Sequence, residues 1–424
     1  MLDIQRRLSN GFFALLSLPA TAMGFALSVQ IAALSWILNT KYGFNLEEIG
    51  WVWASGPLAG ILGQVIVGVI SDNVWFWKGR RRPFILIGGT IAALMLLALP
   101  YIDVIGTAMG IESLIGVAIT VALTLDLAIN VSFNPTRSLI ADVTPAGDQR
   151  TKGYTWMQTI SGSFGVLAYL IGSFVNNYFL IYFGAVLVFV FSIFPTLFIE
   201  EPRTLGATGD HANQPTRTNT DWSAFLKICV AHAFTWLGVQ TMFVYTFGYI
   251  KQGIMGYEIE QELSAAVNNE IGFSIGIAFA ILNTVGAVLP APVLEPIARR
   301  IGRVRTHTIC IAIMALGYLL IFSIGGSIVS FFVLMAVVGI GWAAVVSLPF
   351  AIMSETVNQQ RMGLFMGLFN LSVVLPQLVA SLLGSYINSQ PDKAVIFMIC
   401  AIALGISALL WLLVKERQEV STTL

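Results

Sequence analysis

The chain has 424 residues, of which 57% are hydrophobic and 10% charged, with 22 basic and 22 acidic side chains and no net charge at pH 7. Soluble domains average roughly 25% charged residues, so a soluble globular fold is excluded. The balanced charge excludes the basic excess that nucleic acid or another acidic polymer would need.

Apolar runs recur at about 20 residues, the length that crosses a hydrocarbon core about 30 Å thick. Twelve spans are expected, over 12–38, 49–70, 84–102, 113–135, 153–175, 178–199, 226–250, 271–293, 307–325, 328–352, 363–388 and 394–414. The first follows Arg6 and Arg7 like a signal peptide, but its apolar stretch reaches Leu38, too long for a removable h-region. It reads as a membrane helix. After six spans comes a polar stretch, Glu200–Ser223, poor in large aliphatics, which reads as a linker. The expected organisation is an N-terminal six-helix bundle over 1–199, a cytoplasmic linker over 200–224 and a C-terminal six-helix bundle over 225–424. Cys229, Cys310 and Cys400 lie singly in apolar runs, without metal or disulfide spacing, and read as packing residues.

Lysine and arginine orient the spans. With the N-terminus inside, 19 of the 22 fall on the cytoplasmic face and only Lys41, Lys251 and Lys393 face out. The positive-inside rule then places both termini in the cytoplasm of a multi-pass protein.

The fourth span holds the most informative side chain. Asp126 lies roughly 18 Å along that helix, at about 1.5 Å per residue, and the other 21 acids fall in loops, tails or segment ends. A carboxylate at this depth costs at least about 2.5–3.5 kcal/mol and marks a functional site or an acid satisfied by a neighbouring helix. Asp126, Asn130, Asn134 and Arg137 follow at spacings of four, four and three, forming one polar stripe that must face the bundle interior or a water-filled cavity. Pro135 removes a backbone hydrogen bond beside it. Asp126 and Arg137 are roughly 16 Å apart along the axis, too far to pair. A carboxyl so placed can take and release a proton, and its two oxygens can accept hydroxyl donors. Further cavity candidates are the polar and aromatic residues within spans, Gln30, Trp53, Gln158, Trp236, Gln240, Asn283, Trp342 and Asn370, since binding cavities combine aromatic walls with a few polar groups. Each also has a packing or interfacial reading. His232 is expected only to hydrogen-bond.

The halves echo each other. Gly68–Pro83 after the second span has a counterpart in Leu294–Arg305 after the eighth. Arg137 to Asp142 with Arg150, after the fourth, is matched by Glu355 and Arg361 after the tenth. Repeated halves are characteristic of secondary transporters. Asp72, Arg80, Arg81, Arg137, Asp142, Arg150, Glu355 and Arg361 could pair across helix ends as a cytoplasmic gate, or be solvated loop charges.

These features resemble the major facilitator superfamily over nearly the whole chain. SDNVWFWKGRRRPFI (Ser71–Ile85) is similar to the SD…GRRRPFI loop of its sucrose-transporter-like branch (glycoside–pentoside–hexuronide:cation symporter type). DLAINVSFNPTRSLIADV (Asp126–Val143) resembles that branch's D-x-A-N-N-x-x-x-G-P-x-R-A-x-x-A-D-L run, matching at Asp126, Ala128, Asn130, Pro135, Arg137, Ala141 and Asp142. Phe234-Thr-Trp236 resembles its L-T-W opening of helix 7. The chain departs from the pattern at Asn134, where the family has Gly, and at Tyr245–Tyr249, where relatives carry acids. The resemblance implies an all-α fold of twelve membrane helices in two pseudo-symmetric halves. It further implies a monomeric, bacterial-type inner-membrane importer of sucrose, maltose or a related glucoside. Asp126 would be its protonation and sugar-binding acid, and the proton its coupling ion, with no cofactor. Proton-antiport export of amphipathic compounds and sodium-coupled sugar symport are the alternatives. The histidines are scattered and no nucleophile–base set, metal motif or phosphate loop supports an enzyme.

Overall fold

The computed structural model describes residues 3–60, 70, 74–144, 148–201, 220–354, 356–357 and 362–415. The described residues are helical almost throughout, the exceptions being short turns and one isolated bridge, Phe76 to Gly79. In chain order the principal helices are α1 (Asn10–Thr40), α2 (Leu46–Trp53), α3 (Arg82–Ala98), α4 (Leu114–Val143), α5 (Asp148–Phe174) and α6 (Asn177–Phe198). They continue as α7 (Trp222–Gly248), α8 (Ala265–Val288), α9 (Arg303–Ile324), α10 (Ile328–Ser354), α11 (Met362–Ser381) and α12 (Val395–Trp411). Among the described residues nine helices are long and apolar enough to cross a membrane, and α12 is a shorter apolar helix.

Local chemistry starts these helices where free N–H groups need acceptors. Ser9 caps α1 by accepting from Phe12 N–H. Asn45 and Glu48 form a reciprocal capping box at α2, with bonds of 3.0 and 2.9 Å. Several helices overrun their expected ends. α4 passes Pro135 and runs eight residues further, to Val143. A proline costs a backbone bond, but Leu139 and Ile140 beyond it are fully buried against Phe12, Leu16 and Ile85, which holds the extra turns in helix. The third span likewise continues beyond α3 through a short 3₁₀ turn at Leu99–Tyr101 into the helix Ile102–Met109. α7 continues as a π-helical turn, Tyr249–Ile254.

The chain forms two compact units. The first comprises Met1–Asn213, Val244–Ala280 and Ser381–Pro391. In it α1 packs on α5, α6 and α4, and α3 packs on α4 and α6. The approach of α3 to α4 requires a glycine, since a Cβ on Gly88 would lie 2.2 Å from Ser132 Oγ. The second unit comprises Gln214–Phe243, Ile281–Ala380 and Asp392–Leu424, with α9 packed between α10 and α12.

Segments distant in sequence join the first unit through polar contacts. Lys251 Nζ donates to Asn39 Oδ1 at 2.8 Å, Ile259 O at 2.7 Å and Gln261 O at 3.0 Å. Ser35 Oγ donates to Val244 O, and Tyr245 Oη donates to Ser381 O.

Candidate functional site

Asp126 sits on α4 of the first unit and is only 6% exposed. Gln30, from α1, donates its Nε2 to both carboxylate oxygens, at 3.1 and 3.2 Å. The Ser55 hydroxyl, just beyond α2, lies beside the carboxyl and donates to Val52 O at 2.7 Å. Next to it, Gly56 closes the other flank: a Cβ there would lie 3.1 Å from Asp126 Oδ2. A bare Cα lets the helical segment 55–60 seat against the acid. The carboxyl is thus held among neutral groups.

The rest of the expected stripe is arranged differently. Asn130 turns its Nδ2 back and donates to the Asp126 main-chain oxygen, 2.8 Å away. Asn134 lies on α4, but its side chain is outside the described residues. Arg137 is exposed, with its guanidinium 4.5 Å from the Phe133 ring centre. Trp53 is buried and donates its indole N–H to Ser35 Oγ at 2.9 Å, so it braces α2 on α1. Gln158 is exposed on α5.

Most of the remaining candidates gather in the second unit. Trp236 donates to His232 Nε2 at 2.9 Å, four residues earlier on α7, which leaves the ring hydrogen of a neutral His232 on Nδ1. His232 stacks on Phe369 of α11 at 4.8 Å. Trp342 of α10 meets Trp236 and Phe243 edge-on at 6.1 and 5.5 Å and donates to Asn283 Oδ1 at 3.2 Å. Gln240 is buried on α7, one turn past Trp236, and Asn370 follows Phe369 half-buried on α11. Composition had suggested aromatic and amide residues here; the part of His232 in fixing Trp236 rests on an i, i+4 spacing visible in the sequence.

The charged cluster expected at the cytoplasmic ends centres on a further residue, Glu201. Glu201, after α6, accepts the backbone N–H groups of Arg80, Arg81 and Arg82 at 2.7, 2.8 and 2.8 Å. A carboxylate on these free amides neutralises the positive start of α3. Arg81 pairs through Nε with Asp142 Oδ2 at 3.0 Å, both side chains largely buried. Arg150 lies on α5 with its side chain outside the described residues, and Asp72, Glu355 and Arg361 lie outside them altogether. Glu201→Ala is expected to cost about 1–2 kcal/mol, because three N–H groups lose a charged acceptor while water still reaches some of them. Thermal unfolding in detergent measures this, and Glu201→Gln should retain about half of the loss as an oxygen acceptor.

Among the described residues no group of three or more His, Cys, Asp or Glu is placed to hold a metal ion.

The family model described as Major Facilitator Superfamily matches residues 16–380 and 265–423. The Arabidopsis thaliana protein "Sucrose transport protein SUC4" is 26% identical, over 82% of this chain and 79% of its own length. A Schizosaccharomyces pombe "General alpha-glucoside permease" is 30% identical over 37% of this chain and 31% of its own. Among solved structures, the fold is similar to the nucleoside transporter NupG, with a TM-score of 0.70 and 13% identity over 96% of this chain and 100% of that one. It is also similar to the xylose transporter XylE from E. coli, with a TM-score of 0.68 and 14% identity over 97% of both chains.

Proposed function

The chain belongs to the Major Facilitator Superfamily, and on that premise we propose that this multi-pass membrane transporter imports a disaccharide or related glucoside together with a proton. The observation that carries the reading is Asp126, buried at depth on α4 within the run that resembles sucrose transporters, and bonded by the neutral amide of Gln30. The relatives named for sucrose and for alpha-glucosides support the substrate class. Asp126 is the group that carries the proton, and its change of charge alters what the sugar hydroxyls meet. Both termini lie in the cytoplasm, and Arg81–Asp142 with Glu201 secures the cytoplasmic ends of α3 and α4.

Proteoliposomes containing the purified protein test this with a panel of labelled glucosides under an imposed proton or sodium gradient. Accumulation of a glucoside driven by the proton gradient is expected. No accumulation with either gradient removes the sugar-symport reading, and accumulation with sodium alone replaces the proton by sodium.

A further inference from the structure

We infer that Gln30 is the positioning residue that sets the pH at which Asp126 exchanges its proton, and that its amide turns over when the acid becomes protonated. The inference rests on the reading of Asp126 as the proton-carrying group.

An ionised carboxylate only accepts hydrogen bonds, so the group facing it must be a donor. Gln30 meets this need by pointing one nitrogen at both oxygens, from a side chain that is itself 2% exposed. A protonated carboxyl gains an O–H that needs an acceptor. A side-chain amide carries both kinds of group at opposite corners of one plane, so rotation about its last bond brings Oε1 where Nε2 was. No residue with only donors, such as lysine, could serve both states. The other groups beside the acid are neutral as well: Ser55 has a hydroxyl that donates to Val52 O at 2.7 Å, and Gly56 contributes only its Cα. Gln30 is therefore the donor that favours the charged form. Turning over also withdraws its N–H groups from the acid and releases them to another acceptor, which makes helix α1 responsive to the proton on α4.

The test is infrared difference spectroscopy of the full chain in lipid vesicles, titrating the protonated-carboxyl stretch that disappears in Asp126→Asn. Gln30→Met, which keeps length and volume but offers no hydrogen bond, should raise the midpoint of that band by about one pH unit, a roughly tenfold gain in proton affinity. The band should also move to higher wavenumber as the carboxyl O–H loses its amide oxygen. Gln30→Glu keeps the test decisive if the methionine variant does not fold. It should bind one additional proton and raise the midpoint through the added acid. Ser55→Ala should leave the midpoint in place. A band whose midpoint is unchanged in both Gln30 variants overturns the inference while leaving Asp126 as the proton site, as does a midpoint that moves with Ser55→Ala alone. Absence of any Asp126-dependent band overturns both readings together.

Discussion

Asp126→Asn is expected to abolish proton-driven accumulation while leaving the protein folded. A gradient of ~1 pH unit supplies about 1.4 kcal/mol per proton, enough for about tenfold accumulation at one proton per sugar. Without a titrating group at position 126 the internal concentration should rise no higher than the external one. Folding should survive because asparagine has nearly the shape of aspartate. Its Oδ1 can still accept from Gln30, and Gly56 keeps the same clearance. Residual sugar binding should also lose its dependence on pH, since asparagine has no proton to exchange in this range. Uptake in proteoliposomes, with size-exclusion profiles as the control for folding, measures both effects. Full proton-driven accumulation by the variant would remove Asp126 from the mechanism.

What the sequence could and could not reveal follows from what each signal measures. Apolar length reports how much chain a membrane can hold, so α1 at Asn10–Thr40 lies within two residues of its expected bounds at both ends. Asp126 was legible for the same reason, because one acid within an apolar run stands out without knowledge of its neighbours. Partner choice is a property of three dimensions, and there the reading stopped. Gln30 lies 96 residues from Asp126, and nothing in periodicity links them. Glu201 looked like the start of a polar linker, yet it caps backbone amides about 120 residues away. The stripe logic placed Asn130 beside Asp126 correctly on the helix, but an asparagine one turn along can also reach back to a main-chain oxygen, as it does here. The expected apolar span closed at Pro135, whereas burial of Leu139 and Ile140 carries α4 on to Val143.

Lys251→Met is expected to loosen the end of the first unit that the lysine and arginine distribution assigns to the outside. Lys251 was legible only as one of three outward cations, but its ammonium is buried and gives each of its three hydrogens to a neutral oxygen. Methionine fills a similar volume, so the effect should come from the stranded acceptors and not from a cavity. Ile259 O would remain paired, because Asn39 Nδ2 also donates to it at 2.9 Å. Asn39 Oδ1 and Gln261 O would each lose their bond to the ammonium, and a bond to a charged donor is worth about 1.5–3 kcal/mol. Relief of the buried charge offsets part of this, because an ammonium whose hydrogen bonds all go to neutral oxygens carries its own desolvation cost. The net loss should be about 2–4 kcal/mol, smaller than the sum of the two bonds at their strongest. Since about 1.4 kcal/mol is a factor of ten, amides of Tyr249–Gln261 that exchange through local opening should exchange at least about 30-fold faster. Hydrogen exchange by mass spectrometry resolves that segment, and α9 in the second unit serves as an internal reference that should not change. Unaltered exchange in Tyr249–Gln261 would mean that packing around α1 and α7, and not the lysine, holds this end together.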